Sequence, residues 1–227
     1  CTRNCRFCNV KTGVITLSPP DPQEPVQVAE AALTLKLRYI VVTSVTRDDL
    51  EDGGAAHFAA TIKAIHDTVP DKPKVEVLIP DFQGNSEALK IVLDAKPAVL
   101  NHNIETVASL YPRVRPEAVY ERSLSLLQSV KSIAPAIPVK SGIMVGLGES
   151  RADLELTMAD LVEHDCDILT IGQYLQPTKQ HLPVEKYYSP DEFETLEKLA
   201  KRLGFKKVAS GPFVRSSYRA DELAVGA

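Results

Sequence analysis

The sequence predicts an α/β fold, a partial parallel (β/α)6-type barrel, and three observations predict it. Short runs rich in Val and Ile recur at fairly regular intervals, and segments of helical periodicity separate them. Polar residues gather just past the ends of the runs, where the carboxyl-terminal loops of parallel strands carry working groups. Composition agrees: 44% hydrophobic and 25% charged residues in a chain of 227 suit one large α/β domain.

Five runs read as strands: residues 39–45 (YIVVTSV), 74–80 (KVEVLIP), 98–103 (AVLNHN), 139–146 (VKSGIMVG) and 167–175 (DILTIGQYL). Several lack alternation, as strands covered on both faces do. The loop carrying the cysteines at the start would follow a first strand upstream of Cys1, making six. Between the runs, residues 57–69 place Phe58, Ile62, Ile65 and Val69 on one helical face. Residues 151–164 do the same with Leu154, Met158 and Leu161, after Ser150 as cap and Asp153 three residues on. In 189–203, Ser189 caps, Pro190 takes the first helical position, Glu192 completes the cap, and Gly204 ends the helix. The Pro-rich stretch 18–25 reads as a loop. No linker, repeat or low-complexity segment divides the chain, so one domain over 1–227 is expected.

The strand ends carry Thr43, Ser44 and Asp48; Asn101, His102, Asn103 and Glu105; Gly146, Gly148 and Glu149; and Gln173 with Tyr174. Four polar tips around one mouth suit a polar ligand. His181 lies in a loop placed to gate that mouth, whereas Cys166 reads as packing.

Charge and cysteine usage narrow the class. The formal charge is −4, from 26 basic and 30 acidic residues without a basic block, so there is no case for nucleic-acid binding. No apolar run approaches the roughly 18 residues needed to span a membrane, and no signal-peptide pattern opens the chain. Four Cys, three of them clustered, do not form a disulfide framework; a reducing, cytoplasmic compartment is expected. Residue 1 is Cys, which reads as the continuation of an upstream segment.

The opening CTRNCRFC sets Cys1, Cys5 and Cys8 in a loop too short to spread them apart. A structural zinc ion takes four ligands, commonly two CxxC-type pairs, and only one such pair is present. Iron–sulfur clusters are also commonly held by four thiolates, so three leave one iron of a four-iron cluster open to a donor that is not protein. Spacing alone leaves both metals open.

CxxxCxxC with an aromatic, Phe7, before the last Cys resembles the radical S-adenosylmethionine superfamily. Further stretches resemble its lipoyl synthase family over essentially the whole length: TSVTRDDLEDGG (43–54), HNIETV (102–107), KSGIMVGLGE (140–149), TIGQYLQPTKQHLPV (170–184) and GPFVRSSY (211–218). The resemblance implies insertion of two sulfur atoms at carbons 6 and 8 of an octanoyl chain on a lysine of a carrier domain. Cys1, Cys5 and Cys8 would hold a [4Fe-4S] cluster whose fourth iron is chelated by S-adenosylmethionine, which is cleaved to a 5′-deoxyadenosyl radical. Such chemistry is beyond acid–base side chains, because an unactivated C–H bond offers no acidic proton.

The resemblance also implies a second, auxiliary [4Fe-4S] cluster that donates sulfur. Its three cysteines belong to an upstream CxxxxCxxxxxC motif that this sequence does not contain. Its fourth ligand is a serine of RSSY, Ser217, with Ser216 the other candidate, in a C-terminal extension (about 205–227) capping that cluster. Softer implications place Thr43 and Ser44 where the superfamily often has a Gly-Gly-Glu edge, a pattern absent here. Met144 and Gly146 would lie against adenine, and Asn103 and Glu105 would reach the ribose or methionyl carboxylate. Lys140 and Arg215 would neutralise that carboxylate or a cluster. Implied partners are an octanoylated lipoyl carrier domain (the E2 subunit of a 2-oxoacid dehydrogenase or the glycine cleavage H protein) and an electron donor such as ferredoxin or flavodoxin. The localisation is cytoplasmic, or an organelle if an upstream transit peptide was removed. Two rival readings are a biotin synthase-like enzyme, which carries no RSSY ending, and a non-catalytic metal-binding module.

Overall fold

The structure, a computed structural model, describes residues 1–13 and 17–226. Six strands, β1 (Tyr39–Thr43), β2 (Lys74–Leu78), β3 (Val99–Asn101), β4 (Val139–Val145), β5 (Ile168–Gln173) and β6 (Lys207–Gly211), form one sheet in chain order. Every pairing is parallel. Among the described residues β6 does not pair back to β1, so the barrel is open. Among the described residues eight α-helices accompany the strands: α1 (Glu24–Thr34), α2 (Ala55–Thr68), α3 (Ser86–Asp94), the short α4 (Tyr111–Val114), α5 (Tyr120–Ile133), α6 (Arg151–Glu163), α7 (Pro190–Leu203) and the short α8 (Ala220–Leu223).

Alternation along the strands divides two environments. Ile40, Val75, Val77, Leu100, Val139, Leu169 and Ile171 pack against Phe58, Ile62, Leu89, Leu127, Met158, Leu161 and Phe193 of the helices. Each such side chain is worth about 1.5–3 kcal/mol on full burial. The concave face between them carries Glu76, Asn101 and Lys140, all buried and hydrogen-bonded to one another. The lumen is therefore polar at its centre.

The five strands and three helices read from sequence are all present, most ending within two residues of their expected bounds. The cap signals hold: Ser150 with Asp153 and Ser189 with Glu192 both form reciprocal capping boxes. Two differences have local causes. The Pro-rich stretch gives up its end to α1, which starts at Glu24 with Pro25 in its first turn, where a missing N–H costs nothing. The sixth strand is β6, at the start of the expected C-terminal extension. KVASG carries a single β-branched apolar residue and is half-buried throughout, so no apolar run marks it. The strand expected ahead of Cys1 falls outside the chain.

After β6 the chain doubles back across the sheet. Val214 is buried, and its carbonyl lies over Gly172, where a Cβ would stand 2.3 Å from that oxygen. Only glycine admits this crossing. The short α8 then packs against both β1 and β6, the two open edges.

Candidate active site

The cysteine loop lies across the mouth of the open barrel, stitched down at several backbone points. Thr2 N–H donates to Thr46 O (3.0 Å), Arg6 N–H to Val114 O (2.9 Å), and Leu182 N–H to Arg6 O (3.3 Å). His181 Nε2 lies 3.1 Å from the Cys8 carbonyl, with Thr178 on its other nitrogen, so the loop carrying His181 rests directly on the cysteine loop. Below it, Arg3 is buried and its fork spans two carboxylates: Nε and Nη2 to Asp48 (2.8 and 3.0 Å), Nη1 and Nη2 to Asp81 (2.9 and 2.5 Å). Arg3 pointing inward leaves the neighbouring cysteines to face the cavity.

That cavity, about 220 Å³, is lined by Cys1, Cys5, Phe7, Cys8, Thr43, Ser44, Asn103 and Glu105, together with Arg3, His102 and Arg115. Burial pushes the Cys5 thiol above its ordinary value, and the nearby Arg115 charge works the other way, easing the loss of the proton that metal ligation requires. Glu105 sits in a left-handed conformation (φ 67°), uncommon for a side chain of its kind. Its backbone bridges to β4, accepting from Met144 N–H (2.8 Å) and donating to Gly142 O (2.9 Å). Burial raises the Glu105 carboxyl, with the Arg115 charge and the Asn103 amide (3.2 Å) opposing the rise.

Two residues of this wall, Asn103 through Oδ1 and Arg115 through Nε, have a buried polar atom without a hydrogen-bond partner among the described residues, as do Asn101 Oδ1 and Thr106 Oγ1. Buried polar groups are nearly always hydrogen-bonded, so these orphans mark residues whose polar partners the protein alone does not supply. Among the described residues no three His, Cys, Asp or Glu side chains converge on a single ion position. A four-iron cluster asks for something else, since each thiolate binds a different iron. Three thiols on one loop are the donors a cluster of that kind could take here.

The remaining expected residues stand elsewhere. Lys140 is fully buried in the lumen, its charge met by Glu76 at 2.8 Å. Met144 packs against the buried cluster of Val114, Leu147 and Tyr174, as Phe7 of the cysteine loop does. Gly146 (φ 104°) lies under Gln173, and the backbone N–H groups of Gly146 and Leu147 donate to Glu149, which makes GLGE a tight turn. Arg215 donates to the Val214 carbonyl. Ser217 lines a separate open concavity with Arg38, Tyr39, Lys74 and Arg219, while Ser216 accepts from Asn103 Nδ2 (2.9 Å). Arg3, Asp81 and Arg115 were not legible as site residues. Arg3 carried a signal, a cation between two cysteines; Arg115 carried none, since only the turn after α4 hooks it inward.

Residues 1–161 match the family model of the radical SAM superfamily. A lipoyl synthase of Caldanaerobacter subterraneus subsp. tengcongensis is 57% identical over 221 residues, covering 97% of this chain and 76% of the relative. One of Coxiella burnetii is 54% identical over 227 residues, covering 100% and 71%. The chain belongs to the lipoyl synthase family. Solved structures similar to it include methylornithine synthase (TM-score 0.65, 13% identity, covering 95% of this chain and 73% of that one). Another is SuiB of Streptococcus suis bound to S-adenosylmethionine (TM-score 0.69, 10% identity, 92% and 47%). At these identities the likeness is one of fold. Family membership makes the protein an enzyme that uses a four-iron cluster and S-adenosylmethionine. No helix among the described residues is long and apolar enough to cross a membrane.

His102, under the cavity, provides a test of this packing. Burial first, then the Arg115 charge, pushes its imidazole down to about 4. Nδ1 lies 2.8 Å from the Ile79 carbonyl, so it carries the proton, and Nε2 accepts from Ser123 at 2.9 Å. A folded value below the ordinary 6.5 means the neutral ring's stabilisation is full above that value and lost as pH falls toward 4. Urea midpoints measured between about pH 7.5 and pH 4.5 are expected to show about 3 kcal/mol of loss that His102→Gln lacks.

Proposed function

We propose that the chain inserts sulfur at carbons 6 and 8 of an octanoyl group held on a lysine of a lipoyl carrier domain. The observation that carries this is the meeting of three cysteines with Asn103, Glu105 and Arg115 around one cavity at the barrel mouth. Cys1, Cys5 and Cys8 would hold the cluster. Asn103, Glu105 and Arg115 would take the polar groups of S-adenosylmethionine, with Thr43, Ser44 and Phe7 beside them and Met144 and the Gly146 turn behind. Val45, Leu78 and Ile79 in the same wall offer apolar surface for an alkyl chain. When bound, these cofactors supply a hydrogen-abstracting radical, one S-adenosylmethionine for each carbon. The protein's part is to orient the chain and exclude water.

A second cluster would supply the sulfur, with Ser217 as its donor from this chain and Ser216 the other candidate, beside the cations Arg38, Lys74 and Arg219, and Arg215 nearby. We read residues 1–227 as one barrel domain whose C-terminal stretch caps that cluster. The carrier is the E2 subunit of a 2-oxoacid dehydrogenase or the glycine cleavage H protein, the reductant a ferredoxin or flavodoxin, and the compartment the cytoplasm. The full-length enzyme, reconstituted anaerobically, is expected to convert an octanoylated carrier to the lipoyl form. Ser217→Ala should lower that yield about 100-fold or more while S-adenosylmethionine is still cleaved. Cleavage of the cofactor with no sulfur reaching the octanoyl carrier in the unmodified enzyme would sink the reading.

A further inference from the structure

The lumen holds a buried ion pair that the cavity does not use. Lys140 on β4 and Glu76 on β2 are 0% and 1% exposed, with Nζ 2.8 Å from Oε1. Glu76 is held from two more sides: the Tyr39 hydroxyl donates to Oε2 (2.7 Å) and the Asn101 amide to Oε1 (3.3 Å). Stability alone does not call for such a pair, since apolar residues of similar volume often serve as well or better. What Lys140 adds is reach. Its ammonium has three donors, and one of them goes to the Ser216 carbonyl at 2.6 Å.

Ser216 is held a second time, its hydroxyl accepting from Asn103 Nδ2 at 2.9 Å. The residues around it have little burial of their own. Phe213 is 81% exposed, and Arg215, Ser217 and Tyr218 are exposed. Val214 over Gly172 is the one packed neighbour on the approach. A segment so thinly packed depends on its polar ties for a defined path, and the strongest of them comes from a charged donor.

We propose that Lys140, aimed by Glu76, is a positioning residue that fixes the backbone at Ser216 and so sets where Ser217 stands. This rests on the reading of Ser217 as a donor to the second cluster. The role differs from cofactor binding, because both hydrogen-bond partners of the ammonium, Glu76 and the Ser216 carbonyl, are protein.

The test is amide hydrogen exchange on the full chain without clusters, comparing the wild type with Glu76→Gln/Lys140→Met, which removes both charges at nearly constant volume. Amides of residues 212–219 are expected to exchange about tenfold faster, while those of β4 and β5 keep their rates. Unchanged exchange at 212–219 overturns the proposal. So does a rise shared equally by β2, β4 and that segment, which is what a plain stability role gives. If the first variant folds poorly, Glu76→Gln/Lys140→Gln carries the same expectation: its amides pair across the strands but fall short of Ser216. The underlying reading fails separately, through a fully active Ser217→Ala enzyme, and that outcome leaves the exchange result standing.

Discussion

Replacing Cys5 by alanine is expected to abolish S-adenosylmethionine cleavage, a loss of at least about a thousandfold, with the fold left intact. The first half follows from the donor count. Three cysteines line the cavity, and with one removed a cluster proposed there would keep two protein ligands; no acid–base route can then substitute for the radical. The second half follows from packing. Cys5 is half-buried and its thiol makes no hydrogen bond among the described residues, so urea midpoints of the cluster-free protein should shift by no more than about 0.5 kcal/mol. Cys166→Ala is the control: that thiol is buried between β4 and β5, far from the cavity lining, and its loss should cost packing alone. Iron content read beside both variants separates loss of the cluster from loss of the protein.

The largest expected effect on stability comes from Arg3→Met, at about 3–5 kcal/mol. Asp81 is 1% exposed and Arg3 5%, so removing the guanidinium strands a buried carboxylate. Arg122 at 3.5 Å and the Gln83 N–H at 3.0 Å are all that remain to it. Burial pushes the Asp81 carboxyl up, and the hydrogen bonds and charge of Arg3 more than offset this, bringing it down to about 2. A folded value below the ordinary 3.8 gives stabilisation that is full above about pH 4 and lost as pH falls through 2. The gap between wild type and Arg3→Met should therefore be widest near neutrality and narrow below about pH 4. Denaturant titrations at the two ends of that range check it; a gap independent of pH would contradict the pairing. Because Arg3 lies between Cys1 and Cys5, the same variant should also take up iron poorly.

Much of the barrel was legible because its signals are local. Val and Ile runs at regular spacing mark strands, and Ser150 and Ser189 with their acidic partners three residues on mark helix starts. Strand β6 was not, because KVASG is half-buried at an open edge and needs no apolar run. The site divides in the same way. Cys1, Cys5, Cys8, Phe7, Thr43, Ser44, Asn103 and Glu105 sit on loops or strand ends that barrel topology carries to one mouth, so their meeting follows from the order of strands. The resemblance gave Lys140 the charge that neutralises a carboxylate or a cluster; β4 places it beside Glu76 in a buried ion pair. Its partner is 64 residues away in sequence, and no local pattern announces such a pairing. Arg115 is hidden for a similar reason, being turned inward by the end of a one-turn helix.

The most direct test of the central claim is to reconstitute the protein with iron and sulfide, reduce it by one electron, and record its electron paramagnetic resonance with and without S-adenosylmethionine. A cluster with one iron lacking a protein donor should give a signal that shifts when the cofactor is added, with about four irons bound through Cys1, Cys5 and Cys8. A colourless protein carrying one zinc, or a cluster signal indifferent to the cofactor, would contradict it.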